Sequence, residues 1–408
     1  PRTPGESRAA PRHDVGAPGG VTLSVAASTT VPVMHPDILP ALFDGPRGPE
    51  QGGCYLYGRH FNPTVYNLSK QLAALEGTEA AYCTASGMSA ISATLMQLCD
   101  MGDHIVSSNT VYGGSYALMH DLLPSKTGIT TTLVDINDLD AVEAAITERT
   151  RVIYTESIAN PTLRIANIPR LSDIARKHGI KLVVDNTFSP LILSPKKLGA
   201  DIVVHSMTKF INGASDFIAG AICADEEFIL QLMDLHTGML MILGPTMDPQ
   251  VAYNIALRLP VLPLRMTEHS KRALVFAERL QELGLKVTYP GLPTHPDHAL
   301  MTDLYCEEFG YGGILTLDMG SEENAYKLMD LLQNEYRFGY VAVSLGYFDT
   351  LMSCSGSSTS SEMTDEDKQA AHISPGLVRI SIGFTGTLEQ RWAQLHEALQ
   401  KVGAIPGD

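Results

Sequence analysis

Lys209 stands where a lysine has few ordinary uses. It follows an apolar, β-branched run, Ile202 to Val204, by way of His205, Ser206, Met207 and Thr208, and a segment with Gly213 and Gly220 comes after it. Such a run reads as a buried strand, which sets Lys209 just past a strand's carboxyl end. Its near neighbours are apolar or small rather than charged. A lysine partly withdrawn from water gives up its proton more readily, and the neutral amine attacks carbonyl groups. Ser206 and Thr208 carry hydroxyls suited to a phosphate beside that amine. The plainer alternative is a structural lysine closing a strand.

Other stretches weigh against the plain alternative. Lys181 to Thr187 (KLVVDNT) is a second buried-strand pattern, ending in Asp185. Ligands in open α/β sheets bind at the carboxyl ends of strands. A carboxylate for a pyridinium nitrogen and an amine for an aldehyde are what pyridoxal phosphate asks of a protein. Ser86-Gly87-Met88 lies between strand-like and helix-like sequence, where free backbone N–H groups and the helix dipole favour a phosphate; a plain tight turn reads the same way. Tyr57-Gly58-Arg59, followed by Phe61-Asn62-Pro63-Thr64, joins a guanidinium that can pair bidentately with phosphate to a hydrogen-bonding ring. Tyr112 can stack on a pyridine face or act as a general acid, or else be a core residue. Glu156 and Asn160, in ESIANP, end another strand. Arg379, inside the apolar run LVRIS, calls for a buried anionic partner, either an internal carboxylate or the carboxylate of an amino acid.

Elements that would position these groups follow from periodicity. From Val65 the pattern is helical, with Leu68, Leu72 and Leu75 on one face and Gly77 as the stop. Strands are expected at Ala80–Cys83, His104–Ser107, Thr130–Val134, Val152–Thr155, Leu182–Val184, Ile202–Val204 and Ala219–Ala224. Helices are expected between them at Met88–Leu98, Ser115–Leu122, Leu139–Ala145 and Ile168–Lys177. This alternation implies an α/β fold with a mostly parallel sheet covered by helices. Beyond about residue 260 the texture changes to a long helix over Met266–Leu283, strands at Ile314–Met319 and Val378–Ile382, and a helix over Leu388–Val402, which suggests a smaller C-terminal α+β domain. The run Ser353–Ser361 (SCSGSSTSS) reads as a loop. Residues 1–60 are expected to form an N-terminal arm, its first 20 or so disordered and the rest, lacking a core of its own, packing on something else. Residues 61–260 make the large domain and 261–408 the small one.

VVDNTF at 183–188 and VVHSMTKF at 203–210 resemble the lysine-loop region of the Cys/Met-metabolism family of pyridoxal-phosphate enzymes. That family holds cystathionine lyases and synthases, acylhomoserine sulfhydrylases and methionine γ-lyases. The resemblance covers roughly residues 20 to 400 and implies the aspartate-aminotransferase-like (fold type I) architecture. It assigns Lys209 as the cofactor-bearing amine and proton carrier, Asp185 to the ring nitrogen, and Asn160 to the phenolate oxygen. The phosphate falls to Ser86, Gly87, Met88, Ser206 and Thr208. Tyr112 would stack on the ring and protonate the leaving sulfur. Tyr57 and Arg59 would reach the phosphate of an adjacent subunit, so a homodimer sharing its sites, within a homotetramer, is implied. Arg379, Ser344, Val343 and Tyr57 would meet the substrate. The segments YGRHFNPTV and SLGYFDTLMSCSGSSTSS look most like plant-type methionine γ-lyases. Val343 stands where cystathionine-handling relatives usually show an acid, and an apolar side chain there suits a thioether methyl rather than a second ammonium. Two positions depart from the bacterial methionine lyases: Gly114 replaces a cysteine, and Leu235-His236 lies near where a Lys-Asp pair occurs. The alternatives are cystathionine γ-lyase or γ-synthase, an O-acylhomoserine sulfhydrylase, or a catalytically silent cofactor-binding protein.

Composition narrows the classes. The chain has 408 residues and a net charge of −16, from 45 acids and 29 bases, which disfavours nucleic acid and anionic membrane as partners. Six scattered cysteines (54, 83, 99, 223, 306 and 354) form no C-x-x-C pair, so free thiols in a reducing cytoplasmic setting are expected. There is no apolar run long enough for a membrane span, no secretory h-region, no nucleotide-loop or zinc-protease motif, and no metal-ligand spacing among the histidines.

Overall fold

The computed structural model describes residues 21–33, 35–43, 55–356, 358, 364–370 and 373–407. The stretch FNPTV opens helix α1 (Pro63–Glu76). Asn62 has extended backbone and its side chain accepts hydrogen bonds from the Thr64 and Val65 amides, Pro63 fills the first turn, and Gly77 closes the helix at φ 75°. An Asn cap, an early Pro and a left-handed Gly are the expected punctuation. The same residues hold the arm: Asn62 Nδ2 donates to Ala26 O (2.8 Å) and Thr64 Oγ1 to Ser24 O (3.0 Å). A bridge between Thr30 and Tyr57 continues the contact. The expected disorder of the first 20 residues lies outside the described residues, as does Cys54.

Seven strands build the main sheet: β1 (Ala80–Thr84), β2 (His104–Ser108), β3 (Thr130–Val134), β4 (Thr150–Glu156), β5 (Lys181–Asp185), β6 (Ile202–Ser206) and β7 (Gly220–Ala224), in the order β1-β7-β6-β5-β4-β2-β3. All are parallel except β7, which runs antiparallel to both β1 and β6. Period-2 alternation splits each strand between two cores. Val184 and Val203 pack with α1 and with α3 (Ile168–His178) on one face. Val183, Ile202 and Val204 pack with α2 (Gly87–Leu98) on the other. The helix expected over Ser115–Leu122 begins earlier, at Gly113, and widens into a π-helical stretch over Ala117–Leu122.

The second sheet has five strands, β8 (Val287–Thr288), β9 (Ile314–Asp318), β10 (Gly339–Val341), β11 (Thr350–Cys354) and β12 (Leu377–Ser381), ordered β10-β11-β12-β9-β8 and antiparallel apart from the β10–β11 pair. Helices α4 (Leu262–Glu282) and α5 (Leu388–Lys401) cover it through Phe276, Leu280, Leu395 and Leu399. One expectation needs correcting here: Ser353 and Cys354, read as the start of a loop, complete β11 opposite Arg379 and Val378. Both are buried, and a small hydroxyl or thiol packs between neighbours as an apolar residue would.

Candidate active site

Parallel register brings chemistry to one edge. Glu156 ends β4 directly beside Asp185 at the end of β5, and Asp185 pairs with Val204 of β6, two residues before Ser206. A cavity of about 250 Å³ opens there, lined also by the start of α2, Tyr112, Lys209, Ile218, Val343 and Arg379.

One end of the cavity lies between α2 and β6. Ser86 caps α2, accepting from the Ser89 amide (3.1 Å), while Gly87 and Met88 fill the first turn, where amides have no intrahelical acceptor. A Cβ at Gly87 would lie 2.6 Å from Ser206 Cβ, so only glycine lets the helix end approach the strand end this closely. Thr208, lining the same cavity, accepts at Oγ1 from the Ala219 amide (3.0 Å).

Asp185 is buried. Its Oδ1 accepts from the amide of Thr187 (2.9 Å) and from Thr187 Oγ1 (2.5 Å), and that same hydroxyl accepts from the Ser206 amide (2.8 Å). Thr187 thus ties Asp185 to Ser206 at the end of β6, a link its position in VVDNTF did not announce. Glu156, unassigned in the sequence, holds two predicted site residues together. Its Oε1 accepts from the Tyr112 amide (2.6 Å) and its Oε2 from the Asn160 amide (2.9 Å). Burial raises both carboxyls above their usual range, and Asp185 pushes Glu156 further. Two adjacent buried acids favour a cation at the cavity floor.

Lys209 Nζ donates to Ser344 Oγ at 3.0 Å. Burial, then the Arg379 charge, lowers its pKa to about 8, so the neutral amine is accessible near neutral pH. Arg379, 2% exposed, donates from Nη1 to Asn160 Oδ1 (3.1 Å) and from Nη2 to Ser344 O (3.0 Å). Its Nε has no partner, and among the described residues no carboxylate lies within ion-pair reach. Burial lowers its pKa to about 10. Among the described residues no acid pairs directly with it, Glu156 acting only across a distance, and a buried guanidinium with an idle N–H suits an incoming carboxylate.

Tyr112 stands at the mouth, 43% exposed. A Cβ at Gly114 would fall 2.6 Å from Tyr112 Cε1 and 3.2 Å from Met88 Sδ, so the ring occupies space that a cysteine side chain would need. Tyr57 and Arg59 do not line this cavity. Arg59 Nη1 donates to Met241 O (2.6 Å) and its guanidinium sits over the Tyr57 ring at 5.6 Å, with Tyr57 44% exposed. No His, Cys, Asp and Glu grouping among the described residues could hold a metal.

The arrangement fits pyridoxal phosphate on its donor set: amides and hydroxyls at one end, two buried acids on the floor, a softened lysine amine, and the Asn160 amide beside Arg379. Comparison with known proteins agrees. The chain is 56% identical over 392 residues to methionine gamma-lyase of Arabidopsis thaliana, covering 96% of this chain and 89% of that one. A putative O-acetylhomoserine (thiol)-lyase from Campylobacter jejuni superposes with a TM-score of 0.90 at 27% identity, over 98% of this chain and 100% of that one, and carries N'-pyridoxyl-lysine-5'-monophosphate. Cystathionine gamma synthase from Xanthomonas oryzae, solved with cystathionine, gives 0.86 at 32% identity over 99% of both chains. The family model described as Cys/Met metabolism PLP-dependent enzyme matches residues 24–400, over a cavity whose donors already ask for that cofactor, and the chain belongs to this family.

Proposed function

We propose that this enzyme catalyses α,γ-elimination of L-methionine to methanethiol, 2-oxobutanoate and ammonia. The observation that carries the reading is the cavity's outer wall. Val343, 70% exposed, and Ile218, 68% exposed, flank it, while the ionisable lining groups Glu156, Asp185 and Arg379 are buried and Lys209 is half-buried. A thioether methyl meets an apolar lip at no electrostatic cost, whereas among the described residues the distal ammonium of cystathionine finds no carboxylate at that lip. The identity to the Arabidopsis methionine lyase supports the same substrate.

Bound pyridoxal phosphate supplies the electron sink that stabilises negative charge at the substrate's Cα. The chain's residues do the rest. Gly87, Met88, Ser86, Ser206 and Thr208 hold the phosphate, and Asp185, braced by Thr187, keeps the ring nitrogen protonated. Asn160 orients the ring oxygen. Arg379 and Ser344 seize the substrate carboxylate and set its Cα–H toward Lys209. Lys209 Nζ takes that proton and passes it on, a second proton leaves Cβ, and the Cγ–S bond breaks as Tyr112 protonates the departing sulfur; water then releases ammonia and 2-oxobutanoate. We assign 61–260 to a cofactor-binding domain and 261–408 to a smaller domain. The exposed pair Tyr57 and Arg59 is proposed to complete a neighbouring subunit's site in a homodimer, within a homotetramer. A cytoplasmic setting fits the free thiols, of which Cys83, Cys99, Cys223 and Cys354 are buried.

Product analysis tests the reaction. Incubation with L-methionine should release methanethiol and 2-oxobutanoate, with little turnover of L-cystathionine; rapid cystathionine cleavage with inert methionine would move the enzyme to cystathionine chemistry on the same cofactor site. A second expectation concerns Thr187. In Thr187→Val, Asp185 loses a hydroxyl donor and the Ser206 amide loses its acceptor, a deficit of about 1–3 kcal/mol. Equilibrium dialysis should show pyridoxal-phosphate affinity falling about ten- to a hundredfold.

A further inference from the structure

Helix α4 belongs to the second half of the chain, yet it grips the segment that follows Lys209. Arg265 donates from Nη1 to Phe210 O and from Nη2 to Ile211 O at 2.8 Å. Those carbonyls lie in a helical turn, in which Asn212 N donates to Met207 O (2.9 Å) and Gly213 N to Lys209 O (2.8 Å). Carbonyls at the end of such a turn lack following amides, and a cation is the partner that suits them. Among the described residues no carboxylate is within ion-pair reach of Arg265. Burial, then Arg258, holds its pKa down to about 10.

One helical turn along, the His269 ring meets the Phe210 ring edge-on at 5.2 Å, with His269 Nδ1 against Ile382 O. From the other side, a Cβ at Gly346 would fall 2.5 Å from the Phe210 amide nitrogen. Gly213, at φ +73°, leaves room for the guanidinium: a Cβ there would lie 2.2 Å from Arg265 Nη1. The backbone next to Lys209 is therefore held between a guanidinium fork and a close-packed loop. Arg265 itself does not line the cavity.

We propose that Arg265 is a positioning residue for Lys209, fixing the main chain at Phe210 and Ile211 so that Nζ is aimed into the cavity. Lysine in its place keeps the charge but offers one ammonium where the fork meets two carbonyls. Misplacement by about an ångström is enough to slow proton transfer about a hundredfold.

The test uses purified holoenzyme of Arg265→Gln, Arg265→Lys and Gly213→Ala, with melting temperature, pyridoxal-phosphate affinity by ultrafiltration, and kcat and KM measured on each. In Arg265→Gln the expected result is a kcat reduced about tenfold or more with KM within about twofold, and cofactor affinity weakened about tenfold. Arg265→Lys should recover part of both losses. Folded variants that melt lower but keep wild-type kcat and cofactor affinity would overturn the proposal, since a merely structural arginine moves only the melt. If Arg265→Gln fails to fold, Arg265→Lys and Gly213→Ala decide between the same two results. The affinity measurement relies on the family's cofactor and not on methionine, so it stands whichever sulfur amino acid is turned over.

Discussion

Lys209→Ala is expected to leave a folded protein that releases no methanethiol from methionine and lacks the visible absorbance of lysine-bound cofactor. Both roles of the residue, carrier of the cofactor and carrier of the Cα proton, go with its Nζ. Loss of a nucleophile that also serves as the base removes effects worth many powers of ten together. Turnover near that of the wild type would sink the assignment. A companion result concerns stability. The folded pKa, about 8, lies below the unfolded value of roughly 10.4. Below about pH 8 the folded chain carries an amine charge at a cost that the unfolded chain escapes, and the cost fades as pH rises toward the unfolded value. Cofactor-free Lys209→Met should accordingly melt above the cofactor-free wild type at pH 7. The gain is about 1–2 kcal/mol once the lost Ser344 contact is set against it, and it should shrink as pH approaches 10.

Arg379→Gln should cost nearly as much through another route. Its idle Nε and buried setting prepare it for a carboxylate, and a desolvated charge pair lost from one side typically costs about 2–5 kcal/mol. We expect kcat/KM for methionine to fall about 10²–10³-fold, with KM carrying much of the loss. Arg379→Lys should rescue little, because an ammonium cannot keep Asn160 Oδ1 and Ser344 O while also meeting two carboxylate oxygens. The cofactor's absorbance should persist in both variants. If kcat/KM changes less than threefold, Arg379 does not hold the substrate.

Much of this was legible in the sequence because the local signals were strong. Strands β2 to β6 each hold two or more β-branched residues, β1 and β7 are short runs of mostly small apolar ones, and Asp185 and Lys209 declared themselves by standing at or just past the ends of such strands. Gly77 announced the end of α1, whereas its start, expected from Val65, lies two residues earlier at Pro63 behind the Asn62 cap. What stayed hidden depends on contacts that no local pattern encodes. The bond from Arg379 to Asn160 spans 219 residues, and the grip of Arg265 on Phe210 spans 55. Glu156 resembled a strand-end acid of no special kind until the fold placed Tyr112 and Asn160 on its two oxygens. Ser353 and Cys354 were misplaced because a strand buried on both sides can be built of small polar residues, which look like a loop when only composition is read. Tyr57 and Arg59, which the resemblance assigns to an adjacent subunit's phosphate, lie outside this chain's own cavity.

The bond between Lys209 Nζ and Ser344 Oγ is a seam between two sheets. On one side stand the groups proposed to hold the cofactor, Asp185, Ser206 and Lys209; on the other, on and beside the smaller sheet, stand Val343, Ser344 and Arg379, proposed to meet the substrate. Heritable variation at Val343 can therefore probe new sulfur compounds while the cofactor cradle stays intact. Modularity of that sort makes a scaffold evolvable, and a library confined to that loop is where laboratory selection for altered substrates has most room to succeed.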